Sequence, residues 1–506
     1  MNESNHIKKR KTNSLPINSL SMWAPIVVSS IISFLLTPYM IKVIGKIDYG
    51  LWALANSFVG YYGLLRLGVG PGIIRYVAYY SGKKDDNKVN SVISSGLAIF
   101  SVVGLIIIIV VLAFAKSISS FYGGGENLQF LITIFGAAAS VECVQRVYDA
   151  SLKAQGLWVT TNSIFVCINV IRALFIFLVL SNGFGLISMG WVFLAMSMIN
   201  MIFNILILKI KLPKIKLKLR YVNLKTIRLL LIFGILTTIS GFVYNLILQS
   251  HNLFIGKIIS IEAVSTYAIA IIIVSRIQAF TKSVSQVFTP IFAQLDGGGK
   301  HTESAKLYLR GTLYCGLISS GASMLIFVFG DSFIDLWVGS EFGESKKILM
   351  ILMLGSLFST TFALNERFLT GTGKQGTQVI FAITEGVVGI SISVIAGLYY
   401  GLVGIAVGYL TGIIFLQLIA KNIYIIRSMN LSIKNFLKSN FIESWSICGC
   451  IYLLDRTLDI NFYNANWNLL VLAVTLYSTL FLLTSFYVVL NKYERNVIIS
   501  KLIQFK

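Results

Sequence analysis

The chain has 506 residues, 56% of them hydrophobic and only 12% charged, with a mean hydropathy of +0.80. Soluble domains carry about 25% charged residues, so a soluble enzyme or a string of soluble domains is excluded. The net charge of +22, from 42 Lys+Arg against 20 Asp+Glu, is no sign of nucleic acid either, because membrane proteins gather Lys and Arg at the cytoplasmic ends of their helices.

The predicted fold is an all-α polytopic transmembrane helical bundle. Residues 1–19 form a cytoplasmic tail with the basic run Lys8-Lys9-Arg10-Lys11. The apolar stretch behind it reaches Val43. It is longer than a secretory signal core and lacks a small-x-small cleavage site, so it reads as a retained first helix. Long apolar runs continue to the C-terminus and predict about fourteen spans. They fall near 20–43, 49–80, 89–115, 128–150, 158–180, 184–208, 229–250, 263–294, 305–330, 346–369, 375–398, 401–426, 436–454 and 467–490. Short turns rich in Gly, Asn and charge join them, as at Gly123-Gly124-Gly125-Glu126-Asn127.

Starting in the cytoplasm and alternating sides puts about thirty Lys and Arg on the inner face and about seven on the outer, a strong positive-inside asymmetry. Both termini are then cytoplasmic. The longest connection, the basic linker 209–228, separates an N-lobe of six spans (20–208) from a C-lobe of six (229–428). Two extra helices and a cytoplasmic tail occupy 429–506. The linker reads as a solvated segment facing lipid headgroups.

A faint internal repeat supports the division. Ile44-Gly45-Lys46, Tyr49-Gly50-Leu51-Trp52-Ala53 and Pro71 have counterparts in Ile255-Gly256-Lys257, Val264-Ser265-Thr266-Tyr267-Ala268 and Pro290. Two pseudo-symmetric lobes of this kind place a site between them near mid-depth. The five Cys lie within apolar runs, and neither they nor the three scattered His suggest a disulfide framework or a metal site.

Charges within spans are costly and usually face a cavity or a partner. Arg66 and Arg75 lie in the second span, Arg172 in the fifth, Arg276 and Lys282 in the eighth. Arg276 is roughly 20 Å from the outer end of its helix, near mid-depth. Arg66 and Arg276 occupy early helices of the two lobes and are the first candidates for an anionic substrate, with Arg172 and Lys282 next. Glu142 and Arg146, four residues apart, share a helix face. Glu385 stands about 15 Å into the eleventh span, with no basic residue within a turn of sequence. It is a candidate to bind a coupling proton or sodium ion, with Glu142 second. Gly70-Pro71 and Pro290 interrupt the second and eighth helices and are candidate hinges, since Pro removes a backbone donor.

The stretch Ile44–Tyr80, IGKIDYGLWALANSFVGYYGLLRLGVGPGIIRYVAYY, resembles the opening of the polysaccharide and O-antigen (Wzx-like) flippases of the multidrug/oligosaccharidyl-lipid/polysaccharide exporter (MOP) superfamily. The likeness rests on Gly45, Asp48, Tyr49-Gly50-Leu51-Trp52-Ala53, Leu67-Gly68-Val69-Gly70 and Arg75-Tyr76-Val77-Ala78, with a later echo at Ala154-Gln155-Gly156. The resemblance implies a flippase of the bacterial plasma membrane. Its substrate would be undecaprenyl-pyrophosphate-linked oligosaccharide, moved to the outer leaflet by alternating access. It also implies contact with the polymerase and chain-length proteins of the same route. Other readings are a lipid II-type or other envelope-glycan flippase, a membrane glycan polymerase, and a cation exporter of the same superfamily. The short outer loops weigh against the polymerase, and the excess of basic over acidic residues within spans weighs against the cation exporter.

Overall fold

The computed structural model describes residues 23–62, 68–213, 215–457 and 466–496, with Ser500. Arg66, Leu67 and the basic run Lys8–Lys11 lie outside the described residues. The chain divides into two compact units, Met1–Ser265 and Thr266–Lys506.

The described part of the first unit is helical. Its helices are α1 (Ala24–Tyr62), α2 (Val69–Gly82), α3 (Asp86–Tyr122), α4 (Gly125–Ala154), α5 (Trp158–Ser181), α6 (Leu186–Lys211) and α7 (Leu224–Ile258). The start of α8 (Ile261–Ser285) completes it. Asp85 opens α3 by accepting a hydrogen bond from the Lys88 backbone at 3.0 Å, as N-cap residues do. Leucine, isoleucine and valine side chains along the middle of α3, among them Leu105, Ile109 and Leu112, are exposed. An apolar surface this continuous is stable only against lipid.

Gly45, at φ 82°, interrupts α1. Just beyond it Gly50 lies so close to the Ile261 carbonyl that a Cβ would collide with it. The small residue of the Tyr-Gly-Leu-Trp-Ala motif therefore allows a close backbone approach. Lys46 and Glu262 pair beside it at 3.1 Å.

The second unit continues with the rest of α8, α9 (Phe288–Gly297), α10 (His301–Val338), α11 (Gly343–Thr361) and α12 (Ala363–Gly371). Next comes α13 (Gln375–Ile413), which passes without a break through π-helical turns at Ile414–Lys421 into α14 (Asn422–Ser428). Then follow α15 (Ile433–Leu437), π-helical turns at Lys438–Ile442, α16 (Glu443–Thr457) and α17 (Trp467–Thr484).

Gly401, at φ 60° and ψ −140°, folds α13 back on itself. Gly404, Gly408 and Gly412 on the returning arm meet Ala396, Ser393 and Gly389 on the outgoing one. A Cβ on Gly412 would lie 2.7 Å from the Gly389 Cα. Ser393 Oγ donates to the Ile405 carbonyl at 3.0 Å across the same seam. Small residues every fourth position let two backbones touch where no hydrophobic effect would drive them together. Elsewhere in this unit buried hydroxyls join helices. Ser319 Oγ lies 2.5 Å from Thr360 Oγ1, and Ser320 Oγ donates to the Ser444 carbonyl at 2.7 Å.

Among the described residues, ten helical segments are long and apolar enough to cross a membrane. The expectation of about fourteen separate spans meets fewer segments because two are merged with neighbours and because α7 and α16, at the seventh and thirteenth, are not among the ten. Ala24–Tyr62 covers the first expected span and the start of the second. Gln375–Ser428 is continuous over 54 residues and covers the eleventh and twelfth. Pro290 lies beside an interruption of the eighth expected span. The break between α8 and α9 falls just before it, and Pro290 lies in the first turn of α9, where its missing N–H costs nothing. Pro71 likewise lies in the first turn of α2, behind Gly68 at φ 62°.

Candidate functional site

In the first unit, Trp52 of the Tyr-Gly-Leu-Trp-Ala motif packs edge-on against Phe135, with ring centroids 5.0 Å apart. Phe135 in turn lies 4.8 Å from Phe193. These rings come from α1, α4 and α6. The Arg172 guanidinium of α5 sits over the Phe193 ring at 4.6 Å, a cation–π placement. Its Nε is buried and has no protein acceptor. Glu142 acts electrostatically on Arg172 and accepts a hydrogen bond from Ser197 Oγ at 3.4 Å. Two residues that sequence spacing left apart, Arg172 and Glu142, are thus brought together. Arg75 is exposed, with its guanidinium 4.8 Å from the Phe233 ring and 5.5 Å from that of Tyr76.

In the second unit, charged and amide side chains converge from α8, α12, α13 and the π-helical turns. Both carboxylate oxygens of Glu385 accept from Gln417 Nε2, at 3.1 and 3.0 Å. Lys421, Lys282 and Glu366 act electrostatically on Glu385. Arg367 pairs with Glu366 at 3.7 Å and donates from Nε to Ser285 Oγ at 3.2 Å. A buried polar chain runs alongside. Tyr308 donates to Asn365 Oδ1 at 2.5 Å, and Asn365 Nδ2 donates to Asn422 Oδ1 at 2.7 Å. Arg276 is half-buried in the middle of α8. Among the described residues no group of three His, Cys, Asp or Glu could hold a metal ion.

This cluster corrects two expectations. Glu385 is not isolated, because helices distant in sequence supply Gln417, Lys421 and Lys282. Lys421, one of the roughly thirty cations expected on the inner face, is only 3% exposed and sits on the π-helical turns. Gln417, Lys421 and Asn422, polar residues in a largely apolar run, are the available signal, since polar residues inside such a run usually face protein. Between α10 and α17 an apolar groove of about 1020 Å³ is lined by residues including Leu317, Met324, Phe481 and Leu483.

The sequence matches the family described as "Polysaccharide biosynthesis protein" over residues 39–347. It is 19% identical over 504 residues to the "Uncharacterized membrane protein EpsK" of Bacillus subtilis (strain 168), covering 96% of this chain and 97% of that one. Among solved structures, the lipid II flippase MurJ in an inward closed conformation superposes with a TM-score of 0.68 at 17% identity, covering 93% of this chain and 98% of MurJ. An inward-facing multidrug resistance MATE family transporter of the MOP superfamily gives a TM-score of 0.66 at 17% identity, covering 79% and 99%. The chain therefore belongs to the polysaccharide biosynthesis protein family and has the polytopic helical fold of MOP-superfamily transporters.

Proposed function

We propose that this protein carries undecaprenyl-pyrophosphate-linked oligosaccharide units from the cytoplasmic to the outer leaflet of the bacterial plasma membrane by alternating access. In this reading the chain crosses fourteen times, as two sets of six helices and a C-terminal pair, with both termini cytoplasmic. The two arms of α13 are then separate crossings. Arg172 is the observation that carries the reading. Its guanidinium is held on an aromatic face, and its buried Nε lacks a protein acceptor. Guanidinium stays charged in any surroundings and offers forked donors to phosphate oxygens.

Arg276, Lys282 and Arg66 are assigned the same role toward pyrophosphate and glycan. Glu385, with Glu142 second, is assigned the coupling proton or sodium ion. Gly70-Pro71 and Pro290 are assigned the hinges. Family membership in polysaccharide biosynthesis and a fold shared with a lipid flippase support the assignment. So does the apolar groove between α10 and α17, which offers room for a prenyl tail.

Depleting the protein is expected to build up lipid-linked glycan in the inner leaflet while surface glycan falls, read by leaflet-resolved labelling. Unchanged surface glycan with no inner build-up would overturn the proposal. The glycan that accumulates also separates a surface-polysaccharide unit from a peptidoglycan precursor. Loss of a hydrogen bond to a charged partner lowers transport by about tenfold to a hundredfold, the drop expected for Arg172→Ala and Arg276→Ala. The lysine variants should retain more. Full activity in both substitutions at a position removes that residue from the site.

A further inference from the structure

From Ile215 onward the connection between α6 and α7 is a strap with a tied backbone and an unusual outer face. Leu212 and Ile215 pack onto the buried cluster of Tyr148, Leu152 and Leu208. The Lys216 backbone N–H donates to Asn90 Oδ1 at 2.9 Å, and the Asn223 N–H donates to Ser95 Oγ at 3.1 Å. Asn90 and Ser95 are themselves buried on α3. The strap is thus tied at two points seven residues apart in sequence. Between those ties, residues 216–220 are all exposed. They alternate Lys216, Leu217, Lys218, Leu219, Arg220, and Leu219 is 89% exposed.

No Asp or Glu occurs between Asp149 and Glu262, so the strap's own stretch of chain offers its cations no carboxylate. Of the acids on the elements that hold the strap, Asp149 pairs with Lys153 at 2.8 Å, and Asp85 and Asp86 lie at the start of α3. Asp85 is engaged with the Lys88 backbone and, at 3.7 Å, with its ammonium. Arg220 is steadied by Tyr221, its Nη2 donating to the hydroxyl at 3.1 Å.

Exposed leucine alternating with unneutralised Lys and Arg on a tethered backbone has two requirements, an apolar medium for one set and anions for the other. The boundary of an anionic leaflet meets both, because the acyl region takes leucine while the phosphates take the cations. We infer that the 215–223 strap is a docking surface for anionic phospholipid headgroups of the bilayer that holds the protein. This lipid is separate from the transported substrate. The strap grips phosphodiesters with Lys216, Lys218 and Arg220 and dips Leu219 beneath them.

The test uses the full-length protein in neutral detergent, titrated with phosphatidylglycerol or with phosphatidylcholine. Thermal midpoint and lipid adducts by native mass spectrometry are the readouts. Phosphatidylglycerol is expected to raise the midpoint and leave bound adducts, and phosphatidylcholine to do neither. Each neutralised cation should weaken the association about fivefold at low ionic strength. The triple change Lys216→Gln, Lys218→Gln, Arg220→Gln should then remove most of the shift. The conservative triple Lys216→Arg, Lys218→Arg, Arg220→Lys should keep it. Lys300→Gln with Lys306→Gln, in the other unit, serves as a control and should also keep it. An undiminished shift in the glutamine triple would overturn the inference. So would an equal loss in the control, an equal response to phosphatidylcholine, or reproduction of the shift by free inorganic pyrophosphate.

Discussion

Replacing Lys421 with methionine is expected to destabilise the purified protein by about 3 kcal/mol, seen as a lowered thermal midpoint in detergent. The reason lies in what the substitution leaves behind. Lys421 is 3% exposed and, of the groups that act on Glu385, is the largest electrostatic contributor. Removing the ammonium leaves the carboxylate with Gln417 and Lys282 but without its main counter-charge. A fully buried pair broken on one side costs about 3–5 kcal/mol, and Glu385 is only half-buried. The lower end applies because both Glu385 oxygens keep their hydrogen bonds to Gln417. The double change Lys421→Met with Glu385→Gln should recover at least half of the loss, since it removes the stranded charge as well. A double-mutant cycle therefore gives a coupling well above 0.5 kcal/mol, roughly the scatter of non-interacting sites. A single variant as stable as wild type would show that Lys421 does not serve Glu385 as counter-ion.

The helical hairpin of α13 carries the second large effect. Gly408→Ala is expected to lower stability by about 3 kcal/mol, the upper range for overpacking a filled contact. The added methyl group would collide with the backbone of Ser393, which has no rotamer in which to yield. Gly376→Ala is the matched control. It lies in the same helix with nothing within 4 Å of a new Cβ, and should gain about 0.5–1 kcal/mol from helix propensity. Opposite signs for two Gly→Ala changes in one helix separate seam contact from backbone preference. Equal effects would show that the arms do not touch.

The helices were legible from sequence because an apolar run long enough to cross a bilayer has few other stable forms. Their fusions were not. Gly401 opens the twelfth expected span, yet helical hydrogen bonding resumes directly on either side of it. At the candidate sites, the sequence singles out Glu385 but not its neighbours. Glu385 was placed by its depth in a span, but Gln417 and Lys421 come from beyond the hairpin. Which face they present depends on the π-helical turns, which no periodicity of 3.6 anticipates. Arg172 stands out in the sequence as a charge within a span. Its aromatic seat on Phe193 depends on the packing of α5 against α6, which spacing along the chain does not encode.

The α13 seam also bears on chain length. Its pairs, 404 with 396, 408 with 393 and 412 with 389, sit at nearly equal distances from Gly401, like teeth meeting in a closed zip. Adding one residue between Gly401 and Gly404 would rotate the returning arm by about 100°. Side chains such as Val403 and Val407, now exposed, would then turn toward the line that glycine keeps clear. Relatives with this hairpin should vary freely on its outer faces while holding the number of residues in each arm constant, and gene variants with single-codon insertions there should fail to accumulate as folded protein.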